Sequence, residues 1–170
     1  YIFGSKDLCM IEHIPELMQA GITSFKIEGR MKSSYYAAAV TNAYRIAMDA
    51  YAKDPKAYRL SDALIQELQG VSHREYCTGY FFDHPLEQAN LASFSGYLKE
   101  KAYLALVDQP SGPNGLARCI QKNKMSLGDS IELLTPGKTG QALTVEGLWD
   151  EAGNAITATP HPQMPFYVKT

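Results

Sequence analysis

The sequence predicts an α+β fold in which a mostly helical first part is followed by a small antiparallel β-barrel. Apolar residues recur at helical steps of three and four before residue 70, interrupted by one strand-like run at 22–30. After residue 95, short β-rich runs alternate with turn clusters of Gly, Pro, Asn and Asp, as in small barrels. Because one strand cannot form a parallel sheet, we interpret the first part as the last βα repeat of a larger parallel α/β fold.

The composition narrows the class of protein. The chain has 170 residues, of which 45% are hydrophobic and 20% charged, with a formal net charge of −2. This is the balance of a soluble globular protein, and no block of Lys and Arg indicates a nucleic-acid-binding surface. No apolar stretch is long enough to predict a membrane span, and no secretory leader is visible. The abrupt apolar start at Tyr1 leads us to expect a piece of a longer chain.

The first predicted helix begins at Ser5, a favourable N-cap, and has Asp7 in its first turn. Gly21 is expected to end it. Pro15 should either kink this helix or mark a new first turn. The apolar positions that support the helix are Leu8, Ile11, Ile14, Leu17 and Met18.

Residues 22–30 are short, bounded by glycines and typical of a strand. In an extended segment, Phe25 and Ile27 point to one side and Lys26 and Glu28 to the other. Two helices follow. Ser33 or Ser34 caps one that ends at Asp54, and a second runs over 61–69, capped by Ser61 and stopped by Gly70. The apolar stripe of the longer helix comprises Tyr36, Val40, Ala43, Tyr44, Ala47 and Tyr51.

The second part contains six predicted strands, at 97–107, 116–121, 130–134, 143–148, 155–159 and 166–169. The intervening segments are rich in turn residues. The predicted organisation is therefore a first domain at 1–83, a linker at 84–94 and a second domain at 95–170.

The segments Ser5-Lys6-Asp7-Leu8-Cys9 and Gly21 to Lys32, which includes Phe25-Lys26-Ile27-Glu28-Gly29-Arg30, resemble the second half of the peptidase family U32 (collagenase-like) domain. Residues 72–81 resemble it as well. The downstream barrel is similar to the family's C-terminal domain, which resembles barrels of translation factors. The resemblance implies that 1–83 is the end of a TIM-type α/β barrel, of which the chain holds only the last strand and helix.

The resemblance also implies a function. Several members of the family are RNA hydroxylation factors that act on the wobble uridine of tRNA or on a ribosomal cytidine, and others are named proteases or collagenases. We therefore expect the longer protein to be an RNA-modifying enzyme that binds prephenate or a related small carboxylate, with tRNA or rRNA as partner. The rest of the U32 catalytic domain is the expected protein partner, and the chain is not expected to be catalytic alone.

Cys9 and Cys77 are the candidate metal ligands. Some relatives carry a 4Fe-4S cluster on four cysteines, and the resemblance implies that Cys9 matches the third ligand. Cys77 is a weaker candidate for the fourth, and Cys119 matches none. From the residues alone, Cys9 lies in the first turn of the predicted helix, where the local field favours a thiolate; the alternative is a small buried hydrophobe. No assembled cluster is expected on this chain alone. Three cysteines without zinc spacing indicate a reducing, cytoplasmic setting.

Lys26, Glu28 and Arg30 are the candidate catalytic residues. Polar groups at the carboxyl end of a barrel strand point into the active site of parallel α/β barrels. Arg30 can hold a phosphate or carboxylate through two hydrogen bonds, and Glu28 can orient it or act as a base. The alternative is an internal salt bridge that closes the strand-to-helix turn.

His73 and Arg74 are the candidate RNA-binding residues, because they precede a run rich in Tyr and Phe at 76–82. The favoured alternative is a segment packed on its neighbouring domain. Five cations of the second part could contact RNA phosphates if they shared a face, although a solvated surface is the favoured interpretation: Lys99, Lys101, Arg118, Lys122 and Lys124. No protease motif such as HExxH or GxSxG occurs. A non-catalytic RNA- or protein-binding module remains a further alternative.

Overall fold

The computed structural model describes residues 5–82 and 96–170, and the chain divides into two compact units. The first unit contains the residues up to Lys101 together with Pro136–Thr139, and the second contains Ala102–Thr135 and Gly140–Thr170. The predicted linker at 84–94 lies outside the described residues. In the part of the chain that is described, no helix combines the length and apolar character needed to cross a membrane.

The first unit packs three helices with one pair of short strands. Its elements are β1 (Asp7–Leu8), a 3-10 turn (Ile11–His13), α1 (Ile14–Gln19), α2 (Ser34–Lys53), α3 (Asp62–Gly70) and β2 (Tyr76–Cys77). The strands β1 and β2 are parallel, with Asp7 opposite Tyr76 and Leu8 opposite Cys77. The mixture of helices and sheets agrees with the predicted α+β class.

The predictions for α2 and α3 are confirmed. Ser33 caps α2, and its hydroxyl accepts a hydrogen bond from the Tyr36 amide; Ser61 caps α3 in the same way. The predicted stripe of α2 faces the core, and its buried members are Val40, Ala43, Ala47 and Tyr51. These helices are determined locally, by caps and by periodicity, and so could be read from the sequence.

The prediction that the first helix begins at Ser5 is wrong. Asp7 lies in β1, where its amide donates to the Glu75 carbonyl at 2.8 Å. Helical structure begins only at Ile11, and Pro15 lies in the first turn of α1, as one of the two alternatives anticipated. A partner almost 70 residues away in sequence replaces the local hydrogen bonds that a helix would use. Gly21, with φ of +82°, follows α1 as expected.

The predicted strand at 22–30 is also wrong, because residues 22–29 pair with no other strand within the described ranges. The alternation itself is present: Phe25 and Ile27 are half-buried, whereas Lys26 and Glu28 are exposed. A period of two sets which side chains face inward, but a strand also needs a partner whose backbone completes its hydrogen bonds.

The second unit is built on a five-stranded antiparallel sheet. Its strand order is β3 (Ala105–Gln109), β4 (Ala117–Gln121), β9 (Pro165–Lys169), β7 (Gly147–Asp150) and β8 (Ala155–Ile156). The strands β5 (Ser130–Thr135) and β6 (Lys138–Thr144) form a separate pair. The core residues are Cys119, Met125, Val145, Leu148, Phe166 and Val168. Within residues 96–170, β3 and β8 are the edges of the large sheet and do not pair with each other, so no closed barrel is formed.

The predicted strand at 143–148 is in fact the end of β6 and the start of β7. Between them, Val145 leaves the ladder: its amide donates to the Asp129 carbonyl at 3.0 Å, and its carbonyl accepts from the Gly128 amide at 2.9 Å. Val145 is nevertheless fully buried. The apolar run at 143–148 therefore predicts the burial of Val145 correctly, but it does not reveal that one strand ends and another begins there.

Candidate functional site

The pair β1–β2 has two faces with different surroundings. Side chains alternate along a strand, so the register that pairs Asp7 with Tyr76 places both on one face and puts Leu8 and Cys77 on the other. On the inner face, the Tyr76 hydroxyl donates to the Leu68 carbonyl of α3 at 2.7 Å. On the outer face, Leu8 is 58% exposed. We call these the inner and outer faces of the pair.

Asp7 and Arg74 form an ion pair that joins β1 to the residues before β2. The Arg74 guanidinium contacts Asp7 Oδ1 through Nε at 2.8 Å and Nη2 at 2.7 Å, and the Arg74 amide donates to Oδ2 at 2.9 Å. Burial alone would raise the pKa of Asp7, but the backbone and side-chain hydrogen bonds from Arg74 outweigh it and hold the pKa below its usual value. Asp7 is therefore ionised at neutral pH.

Cys9 follows β1 and is turned toward α2. Its amide donates to the Cys77 carbonyl at 2.9 Å, and its sulfur lies 3.8 Å from the Tyr44 hydroxyl. Burial raises the pKa of the Cys9 thiol above its usual value, although hydrogen bonds from the Ile11 amide and the Tyr44 hydroxyl act in the opposite direction. The expectation of a thiolate favoured by a helix first turn is thus wrong, because Cys9 lies before the 3-10 turn and is partly desolvated.

Tyrosines from two elements surround this position. Burial raises the pKa of Tyr36, Tyr44 and Tyr76, so all three remain neutral phenols at physiological pH. The charges of Asp7, Cys9 and Glu28 each add to the pKa rise of Tyr36. Tyr36 therefore lies within electrostatic range of charged groups on both the inner face of the strand pair and the 26–30 segment.

Lys32 is held where the 26–30 segment meets α2. Its ammonium donates to the Ser72 carbonyl at 2.8 Å and lies 4.2 Å from the centre of the Tyr97 ring and 5.4 Å from that of Tyr36. Desolvation lowers the pKa of Lys32, and the charge of Asp7 partly opposes that shift. Sequence reasoning did not single out Lys32, because its carbonyl partner Ser72 and its nearer ring contact Tyr97 are distant in sequence.

The three candidate catalytic residues are exposed. The Glu28 carboxylate accepts a hydrogen bond from the Arg30 amide at 3.0 Å, which tightens the turn that leads to α2. Within residues 5–82 and 96–170, neither Lys26 nor Glu28 nor Arg30 forms an ion pair, so the internal salt bridge considered as an alternative is not formed there. Their charged groups face away from the half-buried Phe25 and Ile27. Their catalytic role stays a prediction.

His73 and Arg74 are both engaged within the first unit. His73 is 4% exposed, its Nδ1 lies 2.6 Å from the Arg74 carbonyl oxygen, and its ring stacks on Tyr76 at 4.2 Å. Arg74 is paired with Asp7. This packing favours the structural alternative for these two residues, and RNA binding by them stays a prediction. Tyr80, Phe81 and Phe82 are exposed by 61%, 60% and 57%.

The candidate metal ligands are divided between the two faces. Cys77 lies on the outer face with Leu8, whereas the Cys9 sulfur is directed to Tyr44 on the side of α2. Cys119 is buried in the core of the second unit. Across the described ranges, no three His, Cys, Asp or Glu side chains are grouped as a metal site. The structure thus brings the backbones of Cys9 and Cys77 together, with the Cys9 sulfur directed to Tyr44 and Cys77 on the outer face.

Most of the predicted cations of the second part have partners. Arg118 pairs with Asp108 and Glu151, and Lys122 donates to the Gln163 side chain at 2.7 Å. Lys101 lies 3.8 Å from Glu67, within the first unit. This supports the interpretation of a solvated, charge-balanced surface over that of a phosphate-binding stripe.

Comparison with known proteins identifies the family. The model of peptidase family U32 matches residues 1–91, and that of the peptidase family U32 C-terminal domain matches residues 99–170. The chain belongs to peptidase family U32. Both matches agree with the resemblance seen in the sequence.

Curated relatives of this U32 chain carry two kinds of name. It is 34% identical over 164 residues to the tRNA hydroxylation protein P1 of Bacillus subtilis, covering 95% of this chain and 38% of that protein. It is also 34% identical to the tRNA hydroxylation protein P of Escherichia coli, covering 94% and 34%. A collagenase of Porphyromonas gingivalis is 28% identical, with coverage of 80% and 38%. The chain spans just over a third of the length of these relatives.

A solved structure also matches part of the chain. The crystal structure of the C-terminal domain of a U32 peptidase from Geobacillus thermoleovorans is 30% identical and aligns with 41% of this chain and 85% of that one, with a TM-score of 0.38.

Proposed function

We propose that the protein to which this chain contributes takes part in hydroxylating a uridine of tRNA. The observation that carries this proposal is the 34% identity to a tRNA hydroxylation protein across 95% of the chain. The relatives at this identity, in two bacteria, share the name. The finer expectations belong to the same proposal: prephenate or a similar carboxylate as co-substrate, a cytoplasmic location, and rRNA as the less favoured substrate.

The rest of the U32 domain is the proposed partner of the first unit. The two-residue parallel pair β1–β2 is too small to be stable by itself, and parallel sheets are normally covered on both faces. Leu8 on the outer face and the aromatic run Tyr80–Phe82 are exposed apolar groups of the kind that a neighbouring domain covers. We propose that β1 and β2 join a TIM-type barrel in the longer protein.

An iron–sulfur cluster is the proposed cofactor, with Cys9 as one ligand. Burial raises the pKa of the Cys9 thiol, whereas the hydrogen bonds of the sulfur with the Ile11 amide and the Tyr44 hydroxyl act in the opposite direction and would support a metal-bound thiolate. Cys77 remains the weaker candidate, since its register places its side chain on the outer face of the strand pair. The remaining ligands would come from outside this chain. The cluster would supply electron transfer to the hydroxylation chemistry.

The decisive experiment is nucleoside mass spectrometry of tRNA from cells that lack the gene. We expect 5-hydroxyuridine to disappear and to return when the full-length gene is restored. Complementation with Glu28→Gln or Arg30→Gln should restore less of it, because Arg30 is proposed to hold a substrate anion and Glu28 to orient it or act as a base. Glu100→Gln and Arg59→Gln, which change exposed charges elsewhere, are the matched controls. An unchanged hydroxyuridine level in the deletion strain contradicts the proposal.

A collagenase-like protease is the second candidate, supported by the name of one relative. The sequence offers no nucleophile–base pair or zinc motif for it. Purified full-length protein that cleaves gelatin, and that loses this activity after a single substitution, would favour the protease. We expect no cleavage.

A further inference from the structure

Four side chains form a continuous row across the five-stranded sheet of the second unit. Phe166 and Cys119 face the core, so the residues next to them in β9 and β4 face the opposite side of the sheet. On that side, residues directly opposite each other on neighbouring strands have their Cβ atoms about 5 Å apart. We call this set the cross-strand row, and its members in strand order are Gln109, Arg118, Tyr167 and Trp149.

A depression of about 450 Å³ lies beside the row, where β3 turns into β4. The turn at 110–116 is held by its own hydrogen bonds. The Gly115 amide donates to the Gly112 carbonyl at 2.9 Å, and the Leu116 amide donates to the Asn114 side chain at 3.2 Å. The depression is therefore formed before a ligand binds, which lowers the entropic cost of binding. Its lining includes Tyr167 and Arg118 of the row and Pro110, Pro113 and Leu116 of the turn.

Two hydrogen-bond donors of the row have no acceptor within the described residues. They are the indole N–H of Trp149 and the hydroxyl of Tyr167. Both side chains are half-buried, and tyrosine and tryptophan in such positions normally direct their polar end at a partner. A ligand suited to this surface therefore packs apolar groups on the two aromatic rings and offers them hydrogen-bond acceptors.

The charges beside Arg118 disfavour one class of ligand and favour another. Arg118 is paired with Asp108 and with Glu151, whose side chains are 40% and 61% exposed. One guanidinium beside two carboxylates leaves a net negative charge, which repels a phosphate group and attracts a cation. The row therefore combines aromatic packing with a preference for a basic side chain over the backbone of a nucleic acid.

We propose that the cross-strand row and its depression bind a proline-rich segment of a partner protein that carries a Lys or Arg. Such a segment adopts the polyproline II helix, which has no internal hydrogen bonds, so its carbonyls can accept from Trp149 and Tyr167. It docks on aromatic-lined grooves and loses little entropy, because it is extended before it binds. Its basic residue lies at Asp108 and Glu151. This role is separate from the hydroxylation proposed above.

The first test is a titration of the chain with a synthetic peptide of prolines around one central arginine, followed by the fluorescence of Trp149, the single tryptophan. We expect a saturable change with a dissociation constant below about 1 mM. A glycine–serine peptide with the same arginine should bind about tenfold more weakly, because it is flexible and must be ordered.

Two outcomes of this titration overturn the proposal. The first is the lack of a saturable change, or equal binding of the two peptides. The second is tighter binding of single-stranded oligouridine than of the proline peptide, which would make the row a site for stacked bases.

The second test uses variants to locate the peptide on the row. Tyr167→Phe keeps the ring and removes the donor, so the affinity for the arginine peptide should fall about fivefold. Glu151→Gln should weaken its binding about threefold and leave the binding of an all-proline peptide unchanged. The matched control is Glu132→Gln, which changes an exposed carboxylate on β5, outside the five-stranded sheet, and should bind as wild type does. A peptide that binds Tyr167→Phe and Glu151→Gln as tightly as wild type overturns the proposal.

Discussion

Asp7 and Arg74 show how one side-chain pair can define a local fold. The carboxylate of Asp7 accepts from both the guanidinium and the amide of Arg74. These hydrogen bonds give the Arg74 amide, just before β2, an acceptor, and they fix the register in which Asp7 lies opposite Tyr76. The pair is only partly exposed, with side-chain exposures of 34% for Arg74 and 22% for Asp7. It should contribute more than an ordinary surface ion pair.

We predict that Asp7→Asn lowers the free energy of unfolding of the first unit by about 2 kcal/mol at pH 7, since charge-assisted hydrogen bonds are lost. The lowered pKa of Asp7 stabilises the folded state above the unfolded pKa of about 3.9, and this contribution is lost as the pH falls through the folded pKa. Urea unfolding followed by circular dichroism should therefore show a gap between wild type and variant at pH 7 that shrinks near pH 3.

The control for this prediction is Asp49→Asn, which breaks an exposed pair with Arg45 on α2. It should change stability little at either pH, because solvent screens such pairs. A gap between wild type and Asp7→Asn that is as large at pH 3 as at pH 7 would contradict the electrostatic explanation.

In the second unit, Thr159 likewise joins two segments through hydrogen bonds. It is fully buried, and its hydroxyl accepts from the Met125 amide at 2.9 Å, while its own amide donates to the Met125 carbonyl at 2.8 Å. Thr159→Val keeps the shape of the side chain but leaves the Met125 amide without its partner. Such a buried, unsatisfied donor costs about 1–3 kcal/mol.

We expect this loss in chemical denaturation of the chain, followed by the fluorescence of Trp149, which is its single tryptophan. Thr157→Val, two residues earlier at an exposed position, should stay within about 0.5 kcal/mol of wild type. Equal effects of the two substitutions would show that the Met125 amide finds another partner.

At the scale of elements, β7 depends on a glycine beneath an aromatic ring. A Cβ on Gly147 would lie 2.3 Å from Trp149 Cη2 and 2.7 Å from Cζ3. Residues 147 and 149 share one face of the strand, so the indole covers the glycine instead of a side chain. Because an indole ring is rigid, Trp149 could make room for a Cβ at position 147 only by losing its own packing contacts.

We predict that Gly147→Ala destabilises the second unit by about 1–3 kcal/mol through overpacking. The same change should cost clearly less in a Trp149→Leu background, because the smaller side chain leaves room for the methyl group. Thermal unfolding of the four proteins, followed by circular dichroism, gives the coupling between the two positions. An equal cost in both backgrounds would place the clash elsewhere.

The elements that the sequence predicted well are those determined by neighbours in the chain. Capping by Ser33 and the stripe of α2 are local, and the structure confirms both. The first helix failed because Asp7 satisfies its amide with Glu75, and the predicted strand at 22–30 failed because no described segment pairs with it. Hydrophobic periodicity could not predict either outcome, because each depends on whether a partner strand distant in sequence is present.

The candidate site follows the same rule. Cys9 was found from the resemblance, but its environment was not, because Tyr44 was interpreted as one more member of the apolar stripe. A buried tyrosine normally finds a partner for its hydroxyl, and this was the available signal. The separation of Cys9 and Cys77 onto two faces required the register of β1 and β2, which the sequence does not give.

For the whole molecule, charge decides whether this chain can bind RNA without the rest of the protein. The net charge is −2, and several cations are already neutralised by carboxylates. Arg118 lies between Asp108 and Glu151, and Lys169 lies 3.2 Å from Glu146. Affinity for RNA depends mainly on cations that displace counterions from phosphates. The balance therefore argues against the alternative of a self-sufficient RNA-binding module.

We predict that the 170-residue chain binds labelled tRNA weakly, with a dissociation constant no tighter than about 10 μM near physiological salt, as in non-specific binding. The logarithm of the affinity should fall only shallowly with the logarithm of salt concentration, because few phosphates are contacted. Fluorescence anisotropy at two salt concentrations measures both quantities.

Asp108→Asn combined with Glu151→Gln frees the charge of Arg118 and should strengthen binding, whereas Arg118→Gln should change little. The prediction is contradicted if the chain binds tRNA tightly, with a steep dependence on salt, and if Arg118→Gln abolishes that binding. The second unit would then be an RNA-binding module, because Asp108 and Glu151 would not neutralise the Arg118 guanidinium.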